Sequence, residues 1–118
     1  MATIRFVNPD SPWAAPTGGY RKRAIHPGDD GYPELFELEV APDTVTAAHA
    51  HAEDEIIYVL AGSLRFGATE YAAGSSVLVP KNTLYQFRAG GDGCTYLNFR
   101  VQTRLSPPGP GSGRGCRA

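Results

Sequence analysis

The sequence predicts an all-β protein, a small barrel of antiparallel strands. Glycine and proline supply 14 and 10 of its 118 positions, a density of chain breakers that suits short strands and many turns. From residue 20 to 103, runs of alternating apolar and polar residues are bounded by those breakers, the signature of half-buried strands. No window carries the 3.6-residue period of an amphipathic helix. A chain of this length holds one core without metal or disulfide staples, and closing the sheet on itself removes its exposed edges.

Residues 1–105 read as a single domain that begins with an N-terminal arm. Within the arm, "NPDSPWAAPTGGY" has loop character, and Trp13 is expected to plug a core edge. "YRKRAI" follows, with Arg21, Lys22 and Arg23 as a solvated strand face. "HPGDDGYP" is a turn cluster that leaves His26 in a surface loop. "ELFELEVAP" alternates cleanly, Phe36, Leu38 and Val40 inward against Glu37 and Glu39 outward. "TVTAAHAHA" leads into "EIIYVLAG", a β-branched run too short for most helices that closes at Gly62. "SLRFGAT", "EYAAGSSVLVP", "LYQFRAGGDG" and "CTYLNFRVQT" are each strand-sized, for about nine short strands in all. On the last of them Tyr96, Asn98 and Arg100 share a face opposite Leu97, Phe99 and Val101. That polar face is expected on the exterior, the alternative being a pocket for an anionic or hydroxylated ligand.

Composition narrows the function. Net charge is −1, and outside Arg21–Arg23 the basic residues are scattered, so nucleic acid is not an expected partner. No apolar run is long enough to span a bilayer, and "MATIRFVNPD" lacks the segments of a signal peptide. The expectation is a cytoplasmic protein with no membrane partner. Cys94 and Cys116 are too few for a disulfide framework and read as reduced thiols. The end of the chain, residues 106–118, places Gly or Pro at seven of thirteen positions; such a composition buries too little to offset ordering, and the tail is expected to be disordered.

Two of the three histidines fall one residue apart in "HAHAEDEIIYVLAG". Residues at i and i+2 of a strand face one side, so His49 and His51 can project into a common space that the alanines around them leave open. Glu55, arriving with the next strand, adds an anionic oxygen to two neutral nitrogens. That set suits Fe(II), Ni(II), Mn(II) or Zn(II) and leaves coordination positions for water or substrate. The competing reading is two exposed histidines beside a solvated acidic corner, Glu53 to Glu55.

The pattern H-x-H-x3-E-x6-G, from His49 through Glu55 to Gly62, resembles the first motif of the cupin superfamily. A second cupin motif is partly present in "GSSVLVPKNTLYQFRA": Gly74 and Pro80 stand at the required separation, and Asn82 takes a glycine position, which asparagine tolerates through its access to left-handed backbone. Three positions depart from the pattern. Asp43 replaces the first glycine of motif one, Ala89 replaces the last asparagine of motif two, and Tyr85 stands where cupins usually carry a third histidine ligand. The likeness runs from residue 43 to 89. It implies a cupin-type jelly-roll β-barrel and a divalent metal at the barrel's interior, held by His49, His51 and Glu55. Two histidines and one carboxylate suffice for many non-haem metal centres.

Tyr85 then has three roles open to it: phenolate ligand, acid or base toward substrate, or core filler. Gln86 is a fallback ligand only if the chain bulges there. The leading expectation is a metal-dependent enzyme of dioxygenase, isomerase, cyclase or lyase type acting on a small oxygenated organic molecule. The alternatives are a non-catalytic cupin that holds a small ligand as sensor or carrier, and a structural partner that dimerises through a barrel face. A homodimer is the expected assembly.

Overall fold

The computed structural model describes residues 3–101; the expected Pro/Gly-rich tail lies outside them. Among the described residues six strands form, all paired antiparallel: β1 (Tyr20–Pro27), β2 (Glu34–Val40), β3 (Glu55–Phe66), β4 (Thr69–Ala72), β5 (Ser76–Val79) and β6 (Arg88–Arg100). Their order across the sheet is β1-β2-β6-β3-β4, with β5 pairing the first half of β3. One 3₁₀ turn, Asp29–Gly31, joins β1 to β2. No helix of the described residues is long and apolar enough to cross a membrane.

Fewer strands form than the punctuation suggests because β3 and β6 each run through a glycine that was expected to end a strand. β3 absorbs both "EIIYVLAG" and "SLRF" by bulging, its register against β6 shifting between Val59 and Ala61 and again between Gly62 and Leu64. The bulges turn the strand and change which residues face inward, from Ile57 and Val59 to Leu64, all three fully buried. Gly62 has φ 71°, and a Cβ there would meet the Gly93 carbonyl oxygen at 2.0 Å, so the crossing of the two long strands tolerates no side chain. The segments around His49 and Tyr85 pair through isolated bridges, Val45 with Arg88 and His49 with Tyr85, rather than as full strands.

The interior is filled from three strands and one connecting segment. Phe36, Leu38 and Val40 of β2 face inward as the alternation requires, and they meet Ile57, Val59 and Leu64 of β3, Ala89, Cys94 and Tyr96 of β6, and Phe87 just before β6. Burial pushes the Cys94 thiol up to about 11, which leaves it protonated and unreactive.

Three expectations about β1 change. Arg21 and Arg23 are half-buried and cross-strand paired, to Glu39 and Glu37 at 2.6 Å each, because β1 and β2 present opposite charges on the same outward face. Trp13 lies across this pair, 4.3 Å below the Arg21 guanidinium, covering cations rather than plugging the apolar core. His26 belongs to β1 opposite Leu35 rather than to a surface loop, because β1 extends through a register shift to Pro27.

Candidate metal and ligand site

The site is assembled by strand register. β6 lies between β2 and β3, and Arg100 at its end is the Cα partner of Glu34 on one side and Glu55 on the other. All three point inward and are buried. A buried charge is tolerated when it is paired and hydrogen-bonded, and here a Glu–Arg–Glu row provides that. Arg100 Nη1 donates to Glu34 Oε1 at 3.3 Å and Nε to Glu55 Oε2 at 3.2 Å. Asn98 Nδ2 donates to the same Glu55 oxygen at 2.7 Å.

The expectation that Tyr96, Asn98 and Arg100 form an exterior face is therefore corrected: they line the interior, and Leu97, Phe99 and Val101 face out. Hydrophobicity alone would orient β6 the other way. What decides its parity is pairing to Glu34 and Glu55 on both flanks, since a one-residue slip would send Arg100 outward and strand two buried carboxylates.

His51 is buried against this row. Arg100 Nη2 donates to His51 Nε2 at 3.1 Å; guanidinium has no acceptor, so that nitrogen carries the lone pair. His49 has the same tautomer for a different reason. Its Nδ1 lies 2.7 Å from the Ala47 carbonyl oxygen, which can only accept, so Nδ1 holds the proton and Nε2 accepts from the Tyr85 hydroxyl at 3.2 Å. The two imidazole centroids are 4.9 Å apart, brought together as the spacing required although no regular strand carries them.

His51 Nε2 and Glu55 Oε1 face each other at 4.0 Å. As the side chains stand, His49 leans on Tyr85, and among the described residues no three His, Cys, Asp or Glu groups converge on a single point. The donor set nonetheless fits a divalent cation in kind and in charge. Both inward nitrogens bear lone pairs. Glu55 Oε1 is buried and makes no close hydrogen bond; the Tyr85 hydroxyl is a donor that neighbours this carboxylate, and an acceptor so placed is stabilised when a cation or donor reaches it. The buried row holds two carboxylates against one guanidinium and so stands one positive charge short.

Tyr85 occupies the position of the usual third histidine. It is half-buried, packs 4.7 Å from the His49 ring and stacks near Phe87. Burial, then the neighbouring Glu55 carboxylate, push its phenol well above the ordinary tyrosine range. The phenol stays protonated and donates. Gln86 points away, its Nε2 donating to the Thr46 carbonyl at 2.8 Å.

Beside these groups opens a cavity of about 230 Å³. Its apolar walls include Leu38, Val40, Phe87 and Tyr96; His49, Tyr85 and Arg100 supply polar groups.

The family model described as a cupin domain matches residues 36–97, more than half of the chain. The protein is a cupin. Solved structures agree on the jelly-roll fold. KdgF from Halomonas sp. superposes with a TM-score of 0.72 at 16% identity, over 88% of this chain and 97% of that one. The polyketide cyclase RemF from Streptomyces resistomycificus gives 0.67 at 24% identity, over 89% and 83%. An oxalate decarboxylase from Bacillus subtilis gives 0.72 at 16% identity, over 90% of this chain and 32% of that one. At such identities the likeness concerns the fold. No curated protein matches the chain by sequence.

Three members of this cupin's site escaped the sequence reading in part or whole: Glu34, Asn98 and Arg100. Glu34 was legible, because it shares the parity of Phe36, Leu38 and Val40. Arg100 and Asn98 needed the partner strands.

Proposed function

We propose that this cupin is a metal-dependent enzyme acting on a small oxygenated organic molecule, with His49, His51 and Glu55 holding a divalent transition metal. The observation that carries this reading is Glu55 Oε1, a buried carboxylate oxygen that makes no close hydrogen bond, set 4.0 Å from the lone-pair nitrogen of His51. A bound Fe(II), Ni(II), Mn(II) or Zn(II) ion would supply Lewis acidity or an oxygen-binding centre. The chain's own groups do the rest. Leu38, Val40, Phe87 and Tyr96 receive the carbon skeleton and exclude water, and a cavity of about 230 Å³ limits it to a small molecule. Tyr85 is protonated and, as the side chains stand, donates to His49 Nε2; with that nitrogen committed to an ion, its proton would be available at the cavity wall to a substrate oxygen. Among the similar folds stand a polyketide cyclase and an oxalate decarboxylase, and dioxygenase, isomerase, cyclase or lyase chemistry is the class proposed here.

Metal analysis of protein purified without added metal tests this. We expect close to one equivalent of a transition ion per chain in the wild type and under about a tenth of that in His51→Ala, a loss of one imidazole from a three-donor site. Equal metal content in the two proteins overturns the assignment. The second reading, a non-catalytic cupin that binds a small ligand, is favoured by one observation: the Arg100 guanidinium already holds His51 Nε2. Metal-free protein that binds small acids or sugars would support it.

We also propose a homodimer. The outward face opposite the core carries Ile56, Tyr58 and Leu60 of β3, at 41%, 44% and 43% exposure, beside Leu78 of β5 at 66%, and Leu78 pairs directly with Ile56. Contiguous exposed apolar groups of this kind mark interaction surfaces. Sedimentation is expected to give a dimer for the wild type and a monomer for Tyr58→Glu/Leu78→Glu; a monomeric wild type contradicts it.

A further inference from the structure

We propose that Arg100 is an internal competitor for the metal: its Nη2 occupies the His51 Nε2 lone pair that a divalent ion needs, so Arg100 sets how tightly the site loads. This rests on the metal reading above and adds a control that the three ligands themselves do not contain.

The geometry is specific. The guanidinium uses separate nitrogens for Glu34, Glu55 and His51, at 3.3, 3.2 and 3.1 Å, so its contact with His51 can be given up while both carboxylates remain paired. A side chain anchored at two points on flanking strands cannot leave the site. Because the guanidinium is a rigid planar fork, Nη2 stays in place while Nε and Nη1 are paired, and it is the His51 imidazole that would turn from Nη2 to an ion. Glu55 is divided in the same way: Oε2 is committed to Asn98 and Arg100, whereas Oε1 makes no close hydrogen bond, so the carboxylate can take an ion through one oxygen without losing the guanidinium. The transfer exchanges an Arg–imidazole hydrogen bond for a metal–imidazole bond at the same nitrogen. Ions with high affinity for imidazole, such as Co(II), Ni(II) and Zn(II), can compete; Mg(II) and Ca(II), which prefer oxygen donors, cannot.

Calorimetric titration of metal-stripped full-length protein with CoCl₂ tests the proposal, with Co(II) absorption reporting nitrogen ligation. The comparison is wild type against Arg100→Gln/Glu34→Gln, a pair that removes one buried charge of each sign and leaves the balance of the row unchanged. The double variant is expected to bind Co(II) about tenfold more tightly, the scale on which groups touching a ligand tune a metal. Equal or weaker binding by the double variant, with clear binding by the wild type, overturns the competition and makes Arg100 a support for Glu55 instead. Binding by neither overturns the metal reading itself, and the inference with it. If the double variant fails to fold, nitrogen-15 NMR of the wild type decides: on adding ZnCl₂ the His51 Nε2 and Arg100 guanidinium resonances are expected to shift together. Arg100 signals that stay fixed while His51 moves overturn the proposal.

Discussion

Glu55→Ala is expected to destabilise the protein by about 3–5 kcal/mol, the cost of breaking a buried ion pair by deleting one partner, and, on the proposed metal reading, to abolish metal binding at the same time. The carboxylate accepts from Asn98 at 2.7 Å and from Arg100 at 3.2 Å, and its side chain is 1% exposed, so its loss leaves buried donors that a neutral water could satisfy only in part. With Glu55 gone, Arg100 retains Glu34 but loses its partner on β3, and the join between β3 and β6 carries an unmatched guanidinium donor. Urea unfolding and metal content of the same preparation measure both effects. Glu55→Gln separates them, because the amide oxygen still accepts a hydrogen bond while the charge a cation needs is gone. Metal loss with most of the stability kept is the expected outcome for that variant. A Glu55→Ala protein within about 1 kcal/mol of wild type, the size of one ordinary hydrogen bond, would show that the buried row contributes no net coupling between the strands.

Gly62→Ala is expected to cost roughly 2–5 kcal/mol, combining the penalty of left-handed backbone for a residue with a side chain and the strain of overpacking. Here the cause is space as much as conformation. At φ 71° the new Cβ would stand 2.0 Å from the Gly93 carbonyl oxygen and 3.1 Å from Cys94 Cα, so the backbones of β3 and β6 must separate. The bulge that follows Gly62 brings Leu64 into the core, and shifting it disturbs that packing. Thermal unfolding reads the loss directly. Gly74→Ala is the comparison: φ is 93°, but nothing lies within 4 Å of the added carbon, so it carries the conformational penalty alone and is expected to cost about 1–2 kcal/mol. Equal losses at the two positions would mean that the close approach of β3 to β6 is not what requires a glycine there.

Much of the candidate site is legible in the sequence. The motif spacing located His49, His51 and Glu55, and the structure brings their side chains to one region. The departures of the motif also have a backbone reason: Asp43 and Asn82, which replace motif glycines, have φ of 59° and 61°. Aspartate and asparagine are the residues that reach left-handed backbone most readily after glycine, so the turns survive the exchange. Tyr85 sits beside His49 as a neutral hydrogen-bond donor.

By itself the sequence determined that the chain is β-rich, which face of β2 is apolar, and which two histidines and glutamate stand together, because these follow from period, punctuation and local spacing. Only the tertiary structure decided that Arg100 and Asn98 point inward and that Glu34 completes a charged row with Glu55. The physical reason is that hydrophobicity by itself favours burying Leu97, Phe99 and Val101, whereas the face of β6 that is buried depends on what the neighbouring strands present. Glu34 comes from 66 residues earlier in the chain and Glu55 from 45; no local pattern in "CTYLNFR" contains them.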